Sequence, residues 1–191
     1  MQNKGTLSVV MPNYNHGHYI QEALQAILSQ SFSPLEVIVI DDGSTDNSVQ
    51  IIESIAEKNP TVKFYRNVKN EGVLYTANKG AKIATGEYIY WAAADDRVCP
   101  SFFEKSVKIL NQNPQAGLSS GLLKIIGKDG NDEMWAKTPV ISSTECFLSA
   151  DQVRKTLLKH GFWFTGHTVI FRRDCIVKDK DTDVWDPELY Q

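Results

Sequence analysis

Four short apolar, β-branched runs, each followed by a segment of helical periodicity, constrain this chain more than any other feature. The runs lie at residues 7–11, 35–40 (with E-V-I-V-I as its body), 62–65 and 87–92. Strands buried on both faces read as continuous apolar runs, because no face is left for alternating polar residues. Between them, 18–30 carries Ile20, Ala23, Leu24, Ile27 and Leu28 at helical spacing, and 49–56, 73–84 and 102–110 read as further helices. The punctuation agrees: Pro12 is expected to end the first strand, Ser33-Pro34 the first helix, Asn59-Pro60 the second and Gly86 the third. Repeated strand–helix alternation predicts an α/β fold, a mostly parallel central sheet with helices on both faces. Ligands of such sheets bind outside the carboxyl ends of the strands. The residues after Met11, Ile40, Tyr65 and Ala92 are therefore the ones on which function should turn.

Beyond about residue 113 the rhythm changes. A strand is expected over 117–126, a turn at Lys128-Asp129-Gly130-Asn131, a helix over 153–160 and a strand over 162–171, with a charged, loose tail over 178–186. This half, 114–191, reads as α+β structure added to the sheet of 1–113, so that 1–191 forms one domain. A chain of 191 residues can bury one good core but not comfortably two. Its net charge of −3 argues against a nucleic-acid partner, which calls for a basic surplus. Cys99, Cys146 and Cys175 are odd in number and widely spaced, so they read as buried or idle thiols in a reducing compartment. The polar start lacks a signal-peptide core and no apolar run reaches membrane-spanning length. The expected location is the cytoplasm, with room for association at the inner face of the membrane.

The four strand ends carry Pro12-Asn13-Tyr14-Asn15, Asp41-Asp42-Gly43-Ser44, the stretch 67–72 and Asp95-Asp96. The first turn has one glycine, too few for a dinucleotide cradle, and no G-x-x-x-x-G-K-[ST] loop occurs. An acidic edge repels a bare diphosphate, so a divalent cation with hard oxygen ligands, Mg2+ or Mn2+, is the natural bridge. Unit charges ~4 Å apart at an effective dielectric near 20 interact by about 4 kcal/mol, more than one hydrogen bond supplies.

Five segments in order, V-V-M-P-N-Y-N (9–15), V-I-D-D-G-S-T-D (39–46), N-E-G (70–72), A-T-G-E-Y-I (84–89) and A-D-D (94–96), resemble family 2 glycosyltransferases. A later W-D-P-E-L (185–189) resembles a further segment of that family. The resemblance implies the GT-A (nucleotide-diphospho-sugar transferase) fold and inverting sugar transfer from a nucleotide sugar, most often a UDP-sugar, to a hydroxyl acceptor. That acceptor is a glycan or lipid-linked intermediate of surface polysaccharide. It implies nucleotide contacts from Pro12, Asn13, Tyr14, Asp42, Asn70, Gly72 and Ala94, with the Tyr14 ring on the base, Asp42 accepting from it and Asp41 supporting the turn. It implies a metal held directly by Asp95, with Asp96 the weaker ligand.

Each residue has a plainer role beside this one. D-G-S-T-D is also a turn into a helix N-cap, by Ser44 or Asp46. Asp95-Asp96-Arg97 also fits a solvated loop with a surface ion pair, and Tyr14 a core aromatic. His16 and His18 read as surface or helix-start residues. His167, at the start of a late strand, reads as a structural histidine or a group facing the substrates, and Trp91 and Trp163 read as core. Two departures from the family matter. Ala93 stands where the first acid of D-x-D is usual, which predicts weaker metal binding. The family's general base follows the W-D-P-E-L segment, which places it beyond Gln191, Asp186 and Glu188 falling too early. The catalytic residue is thus unknown, and the expectation is a piece of a longer transferase that binds donor and metal yet transfers poorly. A non-catalytic nucleotide-sugar-binding module is the alternative from another class. A sugar-nucleotide nucleotidyltransferase lacks its glycine- and arginine-rich loop here.

Overall fold

The computed structural model describes residues 5–127, 133–136, 141–142, 144–161, 166–179 and 182–186. Its strands are β1 (Leu7–Asn13), β2 (Glu36–Asp41), β3 (Val62–Arg66), β4 (Tyr88–Trp91), β5 (Leu118–Ser120), β6 (Lys124–Ile126), β7 (Glu133–Trp135) and β8 (Val169–Arg172). Its helices are α1 (Ile20–Leu28), α2 (Ser48–Lys58), α3 (Val73–Ile83), α4 (Phe102–Gln112), α5 (Ala150–His160) and the single turn α6 (Arg173–Ile176). Six strands form one sheet in the order β3-β2-β1-β4-β8-β5. The first four are mutually parallel, and β8 runs antiparallel to β4 and to β5.

Alternation along the buried strands sends successive side chains to opposite faces. Val9, Met11, Val37 and Val39 pack with Ile20, Leu24 and Ile27 of α1, Ile52 of α2 and Phe103, Val107 and Leu110 of α4. Val10, Ile38, Ile40 and Ile89 pack on the other face against Ala77 and Ala81 of α3 and Val177. Helices therefore cover both faces, as the alternation predicts. Each fully buried aliphatic side chain contributes about 1.5–3 kcal/mol.

At the amino-terminal edge of the sheet, Ser8 and Glu36 are buried polar residues. Glu36 accepts from Ser8 Oγ at 2.7 Å, Lys63 Nζ at 2.6 Å, and Thr85 N and Oγ1 at 2.8 Å each. Burial raises its pKa, but these donors overcome that and hold the carboxyl at about 2.

Several expectations are corrected. Pro12 does not end β1, which pairs on through Pro12↔Ile40 and Asn13↔Asp41. Val10 O receives Ala92 N, so Pro12, two residues on, faces the same neighbour, just where the β4 pairing has stopped. The missing N–H thus ends the ladder on one side only. The expected strand over 117–126 divides into β5, in the main sheet, and β6, which pairs with β7 in a separate sheet. β8 begins only at Val169, after a 3-10 turn at Gly166–Thr168. The tail is not loose where described. Lys82 Nζ meets Asp183 Oδ1 at 2.7 Å, and Trp185 exchanges two backbone bonds with the Asn78 side chain, at 2.7 and 2.9 Å. All three cysteines are free and exposed, not buried. Lys128–Asn131, Phe162–Thr165 (with Trp163) and Glu188 lie outside the described residues.

Candidate donor-binding site

Because β1 to β4 run parallel, their carboxyl ends meet on one edge. The chain turns from β1 outward to β2 and β3, then returns to β4 on the other side of β1. In open α/β sheets ligands bind beside such a reversal, here between the loops after β1 and β4. Residues 12–15, 42–44, 67–72 and the Asp95-Asp96 pair lie at or just beyond the carboxyl ends of these four strands.

A buried frame fixes the loops. Asp41, fully buried, accepts from Asn13 Nδ2 at 2.8 Å and Ser44 N at 3.0 Å, with Arg66 Nε at 3.4 Å. Ser44 Oγ accepts from Asn13 Nδ2 at 3.2 Å and Asn15 N at 2.9 Å. Asn15, at φ 56, accepts Thr45 N on its Oδ1 at 2.8 Å. Asn13, 1% exposed, is thus a strut joining the β1 and β2 loops, and Asp41 supports the turn as expected. Neither Ser44 nor Asp46 is the expected N-cap: that position of α2 is Asn47, without a side-chain cap bond, while Asp46 accepts Ser48 N at 2.9 Å and Gly17 N at 2.8 Å just before the helix and Ser44 serves the loop. Burial, the largest single influence, raises the Asp46 pKa, but Ser48, through its side chain and then its amide, and the Gly17 amide together hold that carboxyl below its ordinary range.

Asp42 forms the second part of the frame. It is buried, and accepts from Asn67 Nδ2 at 2.8 Å, Glu71 N at 3.0 Å and Gly72 N at 2.9 Å. Asn67 is held in turn by Lys79 Nζ, which donates to its Oδ1 at 2.6 Å, while its Nδ2 also donates to Thr76 Oγ1 at 3.2 Å. Glycine is required twice. Gly43 has φ +76, and a Cβ there would sit 2.7 Å from the Lys69 carbonyl carbon; Gly72, at φ +95, turns its N–H into Asp42. Asn67 opens the stretch 67–72 singled out at the third strand end but had no role of its own there, and Thr76 and Lys79 were not among the residues anticipated.

Above this frame, Tyr14 is 42% exposed, so it is not a core aromatic, and Asn70 is exposed; Pro12 and Gly72 are half-buried. Ala94 is buried beneath the turn that presents Asp95 and Asp96, both exposed. Arg97 turns to Glu22 of α1 at 2.8 Å, giving the surface ion pair without either aspartate. His167 lies in the 3-10 turn, its Nδ1 3.9 Å from Asp96 Oδ2. Its carbonyl accepts the Tyr90 hydroxyl at 2.9 Å. Burial, and then the nearby Asp96 and Cys99, push that phenol far above its ordinary range, so it remains a donor. Trp91 is core, as expected, and packs edge-on against Phe171 and Trp185. His16 opens α1 through its carbonyl and His18 is exposed.

Among the described residues no three histidine, cysteine or acidic side chains gather into a self-sufficient metal cage. Two adjacent exposed carboxylates suit a Mg2+ or Mn2+ whose remaining ligands are substrate phosphates and water. Their chemistry thus fits such a cation, which Asp95 and Asp96 would hold only in part.

The Glycosyl transferase family 2 model matches residues 8–178. The uncharacterised glycosyltransferase YibD of Escherichia coli K12 is 30% identical over 181 residues, covering 94% of this chain and 52% of its own. A crystal structure of S. aureus TarS residues 1–349 superposes with a TM-score of 0.70 at 25% identity, over 92% of this chain and 49% of that one. The same TarS fragment has been solved with UDP-GlcNAc (TM-score 0.60, 23% identity, 92% and 47% coverage). The mannosyltransferase PcManGT of Pyrobaculum calidifontis, solved with GDP-Man and Mn2+, superposes with a TM-score of 0.62 at 19% identity, over 94% and 50% of the two chains. This chain spans about half the length of the curated relatives it matches.

Proposed function

The chain belongs to glycosyltransferase family 2 and has the GT-A fold, and from this premise we propose that it binds a UDP-sugar with a divalent cation for inverting transfer to a hydroxyl acceptor. The observation that carries the reading is that Asp42, the exposed Tyr14 ring and the exposed Asp95-Asp96 pair each follow the carboxyl end of one of three adjacent parallel strands, where the strand order reverses. In this reading Tyr14 stacks on the base, and Pro12, Asn70 and Gly72 close around it. Asp42 accepts a hydrogen bond from the base, and Asn13 and Ala94 act from beneath by holding the loops in place. Asp95, helped by Asp96, holds Mn2+ or Mg2+. When bound, that cation offsets the charge gathering on the departing diphosphate. The acceptor oxygen bonds to the anomeric carbon as the carbon–phosphate-oxygen bond breaks on the opposite side, and a base takes the hydroxyl proton. This chain's residues serve the donor side of that displacement.

Two similar proteins support the donor class: TarS, solved with UDP and with UDP-GlcNAc, and PcManGT, solved with GDP-Man and Mn2+. The acceptor in this reading is a glycan or lipid-linked intermediate of surface polysaccharide, met in the cytoplasm at the inner face of the membrane. Three free, exposed thiols suit such a reducing compartment. Among the described residues no helix is long and apolar enough to cross a membrane. Calorimetric titration with UDP, with and without Mn2+, tests the donor site. Binding should strengthen with metal, and Asp95→Ala should weaken the metal-dependent part at least tenfold. Absence of nucleotide binding at millimolar UDP with Mn2+ would reject the reading.

A further inference from the structure

The GT-A fold by itself does not choose the base, since the two similar structures carry uridine and guanosine nucleotides. In this chain the choice depends on how many acceptor positions Asp42 has left. An ionised carboxylate offers about four, two on each oxygen. Asn67 Nδ2 and Glu71 N both point to Oδ1, at 2.8 and 3.0 Å, and fill it. Gly72 N takes one position on Oδ2, at 2.9 Å. One remains.

We propose that Asn67, locked by Lys79, restricts Asp42 to a single further donor and so selects an imide base, uracil or thymine, against guanine. The proposal rests on the donor-site reading above. An imide presents one N–H between two carbonyls and matches the single open position. Guanine presents two donors in a row, N1–H and the 2-amino group, which a carboxylate satisfies only with both oxygens. Here the second donor stays unpaired, or it displaces Asn67 or the Glu71 amide. A buried polar group left without its partner costs on the order of 1–3 kcal/mol, roughly 5- to 150-fold in affinity.

Lys79 makes the restriction firm. Its ammonium, 2.6 Å from Asn67 Oδ1, requires that oxygen to face it. The amide nitrogen must then face Asp42 and Thr76. A flipped amide would set an oxygen against the carboxylate and an NH2 against the ammonium. The cation also compensates the buried Asp42 charge through the amide, without occupying the carboxylate itself.

The test is calorimetric titration of the whole chain with UDP, dTDP and GDP in Mn2+, for the native sequence, Asn67→Ala and Lys79→Met. Native protein should bind UDP and dTDP alike and at least tenfold tighter than GDP. Asn67→Ala reopens a position on Oδ1 and should shrink the UDP-to-GDP ratio at least fivefold. Lys79→Met, which keeps Asn67 but releases its amide, should shrink it less and serves if Asn67→Ala does not fold. A native preference for GDP, or parallel weakening of all three nucleotides in a folded variant with the ratio unchanged, would overturn the proposal, the second leaving Asn67 a loop support. Failure of every diphosphate to bind the native chain would overturn the donor-site reading along with it.

Discussion

Glu36 shows how one residue can tie an edge of the sheet to the pH scale. Its carboxylate is 1% exposed and gathers donors from β1, β3 and the loop before β4. Its pKa is about 2 in the fold against 4.5 ordinarily, so the folded state holds the charged form more tightly than the unfolded chain does. The stabilisation is therefore complete above about pH 4.5 and fades as pH falls towards 2; by linkage it is worth about 3 kcal/mol at neutral pH. Urea unfolding from pH 7 down to 3 should show that loss, and Glu36→Gln should be less stable at pH 7 with a flatter acid limb. An equal acid slope in both proteins would assign the loss to other carboxylates. Asp41 and Asp42, adjacent in sequence, divide the labour differently. Asp41 spends its oxygens on the β1 and β2 loops, while Asp42 spends three positions on the segment beyond β3 and keeps one. Nothing in D-D-G-S separates the two roles; the direction in which each side chain leaves the end of β2 does.

At the scale of elements, α3 links the sheet to the segment 182–186. Ala77 and Ala81 lie on the sheet, Asn78 clamps the Trp185 backbone, and Lys82 pairs with Asp183. The Trp185 ring then covers Trp91, 5.5 Å between centroids, at the end of the strand that leads to Asp95. Asn78→Ala removes both clamp bonds and should cost about 1–3 kcal/mol locally. Hydrogen exchange should then accelerate at the Trp185 amide while the β1 and β2 amides stay protected. Unchanged exchange at Trp185 would mean that ring packing alone holds the segment. Helix α5 is the contrasting case. It carries a full capping box, with Ser149 Oγ accepting from Gln152 N and Gln152 Oε1 from Ser149 N, yet buries no residue. Its boundaries follow local hydrogen bonding, while those of α3 follow the sheet it lies on.

For the whole molecule, nucleotide binding and stability are linked, because only the folded edge assembles the site. UDP with Mn2+ at a hundredfold excess over its dissociation constant should add about 2.7 kcal/mol. For a chain of this length, that is roughly a 5–10 °C rise in Tm. Differential scanning calorimetry with and without a chelator checks it. A rise left undiminished by chelation would remove the cation, and with it Asp95 and Asp96, from the donor site.

The amino-acid order by itself determined the four parallel strands, the helices on both faces and the edge where Pro12, Tyr14, Asp42, Asn70 and Asp95 meet. Those features follow from local periodicity and from the geometric rule that parallel strands end together. Periodicity also misled in places. Pro12 reads as a stop because its missing N–H is a local fact, but whether a ladder bond is lost depends on a neighbour almost eighty residues away. The run at 117–126 reads as one strand because no local feature records that β5 and β6 enter different sheets. Only the tertiary structure decided which carboxylates are already engaged. Asp42 meets Asn67 across 25 positions, and Trp185 meets Asn78 across 107. Hydrogen-bond saturation depends on such distant pairs, whose partners come within bonding distance only after the strands have packed.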